Sequence, residues 1–480
     1  MTEPLRIAVV GHTNAGKTSL LRTLTRRVDF GEVSERPGTT RYVERIDLQV
    51  EGRAAVRFLD TPGLEDAVAL REHIDAGDRA ATPPERVRRF LEGPEAHGVF
   101  EQEAKVLRAL LEVDAAFLVI DAREPVLPKF RAEIELLNAC ARPVLPVLNF
   151  VCSAASREVE WKTLLAAYGL HVVVRFDAAA PFVGAERELY RDLATLLRER
   201  RRQLDEVAAF LEAEFGERRR AAGLRIADLL VDAASVRRRA TAAEFADATQ
   251  RGRLVAALRK TVFDKAQRCA DDLLALYGFR ENDADEAPLP LVEGRWAMDF
   301  FHPEALKDAG LLLGKGVAVG AALGVVADLA LAGLSLGAGA ALGGAIGGAV
   351  SQGWGPLGRK LVNKLRDLHE LTVEDSVLFV LAAWQLHLLR ALEQRGHAAL
   401  GRIAAPAPAA AADAVEARRA LAELVRAAQP ARSHADWETG LRLRWREPAP
   451  RQEVVARVAQ QVPAAIEAIE RDGRQAPTAA

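Results

Sequence analysis

Cysteine is scarce in this chain, and its scarcity narrows the class of protein. Only three of the 480 residues are cysteines, Cys140, Cys152 and Cys269, and their spacing suggests no pairing. Such a set argues against a disulfide framework and indicates reduced thiols in a cytoplasmic protein. The N-terminal stretch "MTEPLRIAVVG" also lacks a cationic segment followed by a long apolar run. We therefore expect no signal peptide.

Net charge is nearly absent as well. The chain has 65 Lys and Arg residues against 67 Asp and Glu, a formal charge of −2. This balance gives no overall attraction for nucleic acid, so no DNA partner is predicted, while a local basic patch would still allow RNA. Half of the residues are apolar, and the length predicts two to four domains with sizeable cores.

Apolar runs alternate with helical patterns over residues 1–185. The predicted strands are 5–10, 56–60, 115–121, 143–150 and 171–177, and the predicted helices are 17–27, 101–112, 129–140 and 157–168. Strands that alternate with helices predict an α/β domain, a mostly parallel sheet with helices on both faces.

The chain beyond residue 185 reads as largely helical. The predicted segments are a charged helical region at 186–305, a Gly/Ala-rich apolar hairpin at 306–356, a helical stretch at 357–403, a linker at 404–413 and a helical tail with a frayed end at 414–480.

The stretch "GHTNAGKTSL" fits a phosphate-binding loop. It follows a strand, precedes a helix and contains G-x-x-x-x-G-K-T. The glycines allow close backbone approach, Lys17 would pair with phosphate oxygens, and the Thr18 hydroxyl would bind Mg²⁺. The predicted nucleotide-binding set in this loop is Gly11, Asn14, Ala15, Gly16, Lys17, Thr18 and Ser19.

Two further segments follow in the order that nucleotide chemistry requires. "RPGTTRY" at 36–42 supplies hydroxyl groups, and "FLDTPGLED" at 58–66 places Asp60 at a strand end. Asp60 would hold Mg²⁺ through water, and the Gly63 N–H would sense the γ-phosphate. Residues 31–42 and 60–75 are the predicted switch segments.

These motifs resemble the Era/TrmE-like class of bacterial P-loop GTPases. The quoted residues are "GHTNAGKTSL", "PGTTR", "DTPG" and "LVIDAREPVLPKFRAEIELLNACARPVLPVLN", and the resemblance covers about residues 5–180. The remaining 300 residues resemble the C-terminal half of a bacterial family of unknown function attached to such GTPases.

The resemblance implies further site residues. Thr40 would be the switch threonine on Mg²⁺, with Thr39 as the fallback, and Asn14 matches an asparagine that binds an activating K⁺ in some relatives. Leu64 stands where other GTPases carry a water-orienting glutamine, so hydrolysis should be slow. Glu72 matches a glutamate that acts in the tRNA-modifying relative after two G domains pair; an ordinary surface glutamate is the alternative.

The base-reading motif departs from the family pattern. The expected Asn-Lys-x-Asp is here Asn149, Phe150, Val151 and Cys152, so the aspartate that accepts hydrogen bonds from guanine is missing. Losing that charge-assisted pair would cost about 2–4 kcal/mol. Phe150 would still pack on the base, and Asp177 would supply a replacement carboxylate, unless specificity for guanine is relaxed.

A glycine-rich apolar block lies at 309–350. Leu329 to Val350 is a run of 22 uncharged residues, long enough as a helix to cross a bilayer of ~30 Å, although it contains seven glycines. Asp328 opposes full insertion. Reversible or re-entrant membrane contact, a stable span and a soluble hairpin all stay open.

Three functions therefore compete. The first is a nucleotide-controlled switch with slow Mg²⁺-dependent hydrolysis of GTP to GDP and phosphate, acting at the inner membrane surface. The second is a nucleotide-binding module with little turnover or relaxed base specificity. The third is an RNA- or ribosome-linked GTPase similar to tRNA-modification GTPases. Expected partners are GTP or GDP, membrane lipid through 309–350 and a second G domain, and expected cofactors are Mg²⁺ and K⁺.

Overall fold

A computed structural model describes most of the chain. The described residues are 3–26, 43–77, 80–178, 181, 184–279, 291–292, 295–296, 334–336, 368–394, 415–438 and 449–475. Thr39, Thr40 and nearly all of the glycine-rich block lie outside them. The chain divides into two compact units between Gly216 and Glu217, and Gln394 is also assigned to the first.

A six-stranded sheet forms the centre of the first unit. Its strands are β1 (Leu5–Val10), β2 (Glu44–Val50), β3 (Arg53–Asp60), β4 (Ala115–Asp121), β5 (Val144–Asn149) and β6 (Val174–Arg175). Their order is β2-β3-β1-β4-β5-β6, and all neighbours are parallel except β2 and β3, which form an antiparallel pair. The predicted parallel sheet is confirmed, and β2 is an edge strand that the sequence pattern did not predict.

Helices cover both faces of this sheet. They are α1 (Lys17–Thr25), α2 (Ala67–Asp75), α3 (Pro83–Glu92), α4 (Glu101–Leu111), α5 (Pro128–Ala139), α6 (Glu158–Ala167), α7 (Ala185–Leu196) and α8 (Arg201–Ser235). Two hydrophobic clusters lie on the two faces of the sheet, and alternate residues of β1 enter one or the other. Ala8 and Val10 belong to the first cluster, and Ile7 and Val9 belong to the second. A strand that is apolar on both sides must be covered on both.

The first unit extends beyond the predicted boundary at residue 185. Leu189, Tyr190 and Leu193 of α7 are fully buried in the cluster that contains Ile7 and Val9. The start of α8 adds Leu204, Val207, Ala208 and Leu211 to the same cluster. The sequence predicts a separate charged region here because polar residues dominate the local pattern. In the structure, the apolar residues between them pack on the sheet.

The second unit is largely helical. Besides the rest of α8 it contains α9 (Ala242–Ala246), α10 (Ala248–Leu276), α11 (Asp375–Glu393), α12 (Val415–Ala428), α13 (Ala449–Ala459) and α14 (Val462–Gln475). One hydrophobic cluster joins residues from α8, α10, α11, α12, α13 and α14.

Short strands interrupt the predicted helical regions of the second unit. The strands β7 (Arg237–Thr241), β10 (Leu334–Leu336) and β11 (Leu368–Val373) form a three-stranded antiparallel sheet, and β8 (Leu291–Val292) pairs with β9 (Arg295–Trp296). Two predictions are thereby wrong in part. Residues 334–336 are a strand within the predicted apolar helical hairpin at 306–356, and 368–373 are a strand within the stretch 357–403 predicted as helical. Pairing with strands distant in sequence decides both cases.

The helix α11 is the one described helix that is long and apolar enough to cross a membrane by length and composition. Two thirds of its most apolar window, 67%, is buried within the protein. That burial is typical of a core helix, so α11 is weak evidence for a membrane span.

Candidate functional site

The predicted phosphate loop lies between the end of β1 and the start of α1, as its spacing requires. Gly11 has φ +139° and Gly16 has φ +91°. A Cβ atom on Gly11 would lie 2.3 Å from the Val119 carbonyl oxygen, and one on Gly16 would lie 2.2 Å from the Asn149 amide nitrogen. Both glycines are therefore required by backbone conformation and by close packing.

Lys17 is buried at the base of this loop. Its Nζ donates hydrogen bonds to the carbonyl oxygens of Gly11 (3.1 Å) and His12 (3.0 Å). Burial lowers the pKa of Lys17, and the carboxylates of Asp60 and Glu133 oppose that shift. The ammonium group thus lies in a low-dielectric site where a bound phosphate would be a strong partner.

Thr18 and Asp60 meet as predicted. The Thr18 hydroxyl donates a hydrogen bond to Asp60 Oδ2 at 2.6 Å, and Asp60 is 1% exposed. Burial raises the pKa of Asp60 to about 6, against the opposing effects of the Thr18 hydrogen bond and the Lys17 charge. Asp60 Oδ1 is also buried and has no hydrogen-bond partner among the described residues. A carboxylate with one unused oxygen beside a hydroxyl fits Mg²⁺, which prefers oxygen ligands.

The segment after Asp60 packs directly on the phosphate loop. Thr61 Oγ1 donates to the Val9 carbonyl at 2.8 Å. A Cβ on Gly63 would lie 2.3 Å from Thr13 Oγ1 and 2.8 Å from the Thr13 nitrogen. Leu64 is fully buried in the apolar cluster under α2 and α5. Its side chain therefore points into the core and cannot orient water.

For the other described residues predicted in the phosphate site, the structure gives a position but no hydrogen bond to the side chain of Lys17, Thr18 or Asp60. Asn14 is exposed with φ +65°, Ser19 is partly buried in the first turn of α1, and Ala15 is buried. Glu72 is exposed on α2, where a surface glutamate is also expected, so its catalytic role stays a prediction. Thr40 lies outside the described residues.

Asn149 links the loops at the base-binding end. It is fully buried, its Nδ2 donates to the Ala15 carbonyl at 3.0 Å, and its Oδ1 accepts from the backbone N–H groups of Phe150 (3.0 Å) and Ala178 (2.9 Å). The phosphate loop, the end of β5 and the segment after β6 are therefore tied together by one side chain. This explains why the asparagine is present although the rest of its motif is not.

Phe150, Cys152 and Asp177 share the same end of the site. Phe150 has φ +58°, and the guanidinium of Arg123 stacks on its ring at 3.9 Å while pairing with Asp121. Cys152 is exposed at the position of the missing aspartate, and Asp177 lies close enough for its charge to act on the thiol. Burial and the Asp177 charge raise the pKa of Cys152, and the Arg175 charge opposes the rise. Asp177 is 5% exposed.

Sequence reasoning missed two groups beside the phosphate loop. His12 Nδ1 lies 2.9 Å from Glu133 Oε1, and Glu133 is 2% exposed on the inner face of α5. The sequence does contain one indication that Glu133 is buried. On the helix α5 it lies on the same apolar face as Phe130, Ile134 and Leu137. A carboxylate on such a face requires a partner.

Two family models match the chain. The model described as "50S ribosome-binding GTPase" matches residues 6–150, and "Domain of unknown function (DUF3482)" matches residues 162–460. The chain belongs to the DUF3482 family. The N-terminal unit of this DUF3482 protein is a GTP-binding G domain with a P-loop, as the resemblance implied.

Curated relatives match this N-terminal part. The tRNA modification GTPase MnmE of Rhizobium meliloti (strain 1021) is 36% identical over 115 residues, which are 23% of the DUF3482 chain and 26% of the relative. The probable GTP-binding protein EngB of Neisseria gonorrhoeae is 32% identical over 161 residues, 34% of the chain and 64% of the relative. The chain thus spans about a quarter of MnmE and under two thirds of EngB.

Two solved structures of GTP-binding proteins are among the matches. Aquifex aeolicus Era bound to GDP·AlF4⁻ has a TM-score of 0.28 and 21% identity, covering 37% of the DUF3482 chain and 52% of Era. A probable GTP-binding protein engB has a TM-score of 0.26 and 17% identity, covering 41% of the chain and 99% of that protein.

Proposed function

We propose that this protein is a slow Mg²⁺-dependent GTP hydrolase whose nucleotide state acts as a switch. The observation that carries the proposal is the buried Thr18–Asp60 pair with its unpartnered Asp60 Oδ1, next to Lys17. Oxygen ligands for a divalent ion and an ammonium for phosphate are therefore both in place.

The protein's own residues divide the chemistry between them. Lys17 would neutralise the developing phosphoryl charge, the backbone N–H groups of the loop would hold the phosphates, and Thr18 and Asp60 would hold Mg²⁺. Bound Mg²⁺ would neutralise charge on the β- and γ-phosphate oxygens. Turnover is slow because the buried Leu64 leaves no glutamine to orient the attacking water.

Nucleotide binding and phosphate release test this proposal. Calorimetry with GDP and a non-hydrolysable GTP analogue should show tight binding with Mg²⁺ and weak binding without it. Lys17→Ala should abolish binding, whereas Lys105→Ala, which removes a surface pair with Glu101, should not. Absence of heat with any purine triphosphate would end the proposal. Comparing phosphate release in K⁺ and Na⁺ tests the predicted role of Asn14.

The end of the site near Asn149 and Phe150, where the base would lie, provides a basis for preferring GTP over ATP. We propose that Asp177 accepts the hydrogen bonds of the guanine N1–H and amino groups in place of the missing aspartate. Its support is the nearness of Asp177 to Cys152, the residue at the position where the family motif has its aspartate. Asn149 positions the same segment through the Ala178 N–H. Phe150, with Arg123 stacked on it, offers an aromatic surface for the purine.

Substitution of Asp177 tests this assignment. Asp177→Asn should lower the GTP-to-ATP affinity ratio by roughly 30- to 1,000-fold, the equivalent of one charge-assisted pair. Asp192→Asn, on α7, is the matched control and should leave the ratio unchanged. Cys152 provides an independent readout, because Cys140 and Cys269 are buried and Cys152 is exposed. Bound GDP should protect Cys152 from alkylation. An unchanged affinity ratio in Asp177→Asn would contradict the assignment.

Other predicted partners and sites stay predictions. They are contact with the inner membrane through 309–350, pairing with a second G domain, an RNA-linked role and a cytoplasmic location. MnmE is named as a tRNA-modification GTPase, and one Era structure contains a segment of 16S ribosomal RNA, which are properties of those proteins.

A further inference from the structure

Glu133 is a buried acid that the phosphate chemistry does not use. Its side chain is 3% exposed on α5, beneath the phosphate loop. Burial raises the pKa of Glu133, while the hydrogen bond from His12 and the charges of Lys17 and Lys129 oppose the rise. A carboxylate so placed must contribute something that an apolar residue would not, since burying it is costly.

His12 connects Glu133 to the switch segment. Its Nδ1 lies 2.9 Å from Glu133 Oε1 and 3.1 Å from the Leu64 carbonyl oxygen, and its Nε2 lies 2.8 Å from Lys129 Nζ. The Lys129 ammonium can only donate, so Nε2 accepts and the proton resides on Nδ1. The Nδ1–H therefore donates to both the carboxylate and the carbonyl. The neutral imidazole satisfies all three contacts at once.

The contact lies next to the predicted γ-phosphate sensor. His12 and Thr13 are adjacent in the loop, and they touch Leu64 and Gly63 respectively. Thr13 Oγ1 is buried without a hydrogen-bond partner among the described residues, close against Gly63. Holding the Leu64 carbonyl therefore restricts the peptide beside the Gly63 N–H. A pre-positioned N–H loses less entropy when it binds phosphate than a mobile one.

We propose that His12, oriented by Glu133, is a positioning residue that fixes Gly63 for the γ-phosphate. The inference rests on the proposed function. It assigns part of the discrimination between GTP and GDP to a histidine–carboxylate pair outside the phosphate-contacting set. The hydrogen bond from the His12 imidazole to the Leu64 carbonyl acts on the segment that meets the third phosphate, so its loss should leave GDP affinity unchanged.

Substitutions of His12 distinguish the effect of its hydrogen bond from the effect of its side-chain volume. In His12→Asn the amide Nδ2 can take the place of the imidazole Nδ1, whereas in His12→Gln the amide lies one carbon further out, and His12→Ala has no donor. His12→Ala should bind a non-hydrolysable GTP analogue about tenfold more weakly with GDP affinity unchanged. The single-turnover hydrolysis rate should fall with it. His12→Asn should restore most of both, and His12→Gln should not.

Variants at Glu133 repeat the test from the other side. Glu133→Gln keeps an acceptor for Nδ1–H and should stay close to wild type, while Glu133→Met should reproduce His12→Ala. Glu101→Gln, a surface pair partner on α4, is the control. If His12→Ala does not fold by circular dichroism, the comparison of Glu133→Gln with Glu133→Met gives the same information.

The outcomes separate this inference from the proposed function. If the wild-type protein with Mg²⁺ binds neither GDP nor the GTP analogue, the proposed function fails. If it binds both, but His12→Ala weakens GDP and the analogue equally or neither of them, only the positioning role is refuted. Failure of His12→Asn to restore the lost affinity also refutes it.

Discussion

At the scale of single residues, the phosphate site concentrates ionisable groups where water is excluded. Asp60, Lys17 and Glu133 are each less than 10% exposed, and burial shifts the pKa of each toward its neutral form. Such groups destabilise the nucleotide-free protein. Their retention is explained if the missing partners are phosphate and a divalent ion, because binding then supplies the compensating charge.

The Asp60 carboxylate gives a prediction about stability. Its folded-state pKa of about 6 is above the ordinary value of 3.8, so the folded protein binds the extra proton and loses stability as pH rises between these values. Asp60→Asn should therefore stabilise the nucleotide-free protein at pH 8 by roughly 1–3 kcal/mol. The gain should vanish toward pH 4, where the wild-type carboxyl is protonated. Urea denaturation at several pH values measures it, and a gain that does not depend on pH would contradict the argument.

The same variant should lose function. Without a carboxylate at position 60, the Mg²⁺ dependence of nucleotide binding should disappear. Asp47→Asn is a suitable control, because Asp47 pairs with Arg57 on the sheet surface. If Asp60→Asn gains stability and its nucleotide binding still requires Mg²⁺, the ion is held by residues other than Asp60.

At the scale of elements, α8 belongs to both units. The helix runs without interruption from Arg201 to Ser235, and its residues enter the sheet cluster before Gly216 and the helical cluster from Ala222 onward. The apolar residues of α7 and α8 are therefore part of the G domain's core, although they follow the last G-domain motif.

Fragment length tests this role of α7 and α8. A fragment of residues 1–216 should fold and bind GDP, whereas a fragment of residues 1–185 should aggregate because it exposes the sheet face that Tyr190, Leu193 and Leu204 cover. Size-exclusion chromatography and GDP binding distinguish the two. Equal behaviour of both fragments would show that the cover is dispensable.

The helices α8 and α10 meet through a buried charged pair. Lys265 Nζ and Asp232 Oδ2 form an ion pair, with side chains 4% and 6% exposed. Removing one partner leaves an uncompensated buried charge, so Asp232→Leu should destabilise the protein by about 3–5 kcal/mol. The double variant Asp232→Leu/Lys265→Met should recover most of the loss. Chemical denaturation measures all three proteins, and additive losses in the double variant would refute the pairing argument.

At the scale of the whole molecule, a switch must change something beyond its nucleotide site. The boundary between the units at Gly216 and Glu217 lies within the helix α8. If the proposed switch is correct, we expect a GTP-dependent change in the part of α8 that follows Gly216.

Hydrogen exchange of the full chain tests the switch. Comparing the GDP complex with that of a non-hydrolysable GTP analogue, we expect altered protection in the segment 217–235 as well as around Gly63. Lys17→Ala treated identically is the control. Altered protection limited to residues before 217 would identify a binding module without transmission to the helical unit.

The sequence by itself determined the G domain's phosphate end. The loop glycines, Lys17, Thr18 and Asp60 are placed by short-range spacing around strand ends, and parallel strands bring their carboxyl ends to one edge of the sheet. Local chain geometry is sufficient for the loop itself, and the contact of Thr18 with Asp60 needs in addition only the parallel pairing of β1 with β3.

Only the tertiary structure decided the contacts between segments that lie far apart in the chain. Four features depend on such long-range contacts: the nearness of Asp177 to Cys152, the pairing of His12 with Glu133, the edge strand β2 and the small sheet that includes residues 334–336. The end of the first unit at Gly216 likewise depends on which apolar residues find an uncovered sheet face. No local pattern contains this information, because the same residues would satisfy their hydrogen-bonding and burial needs with other partners in another fold.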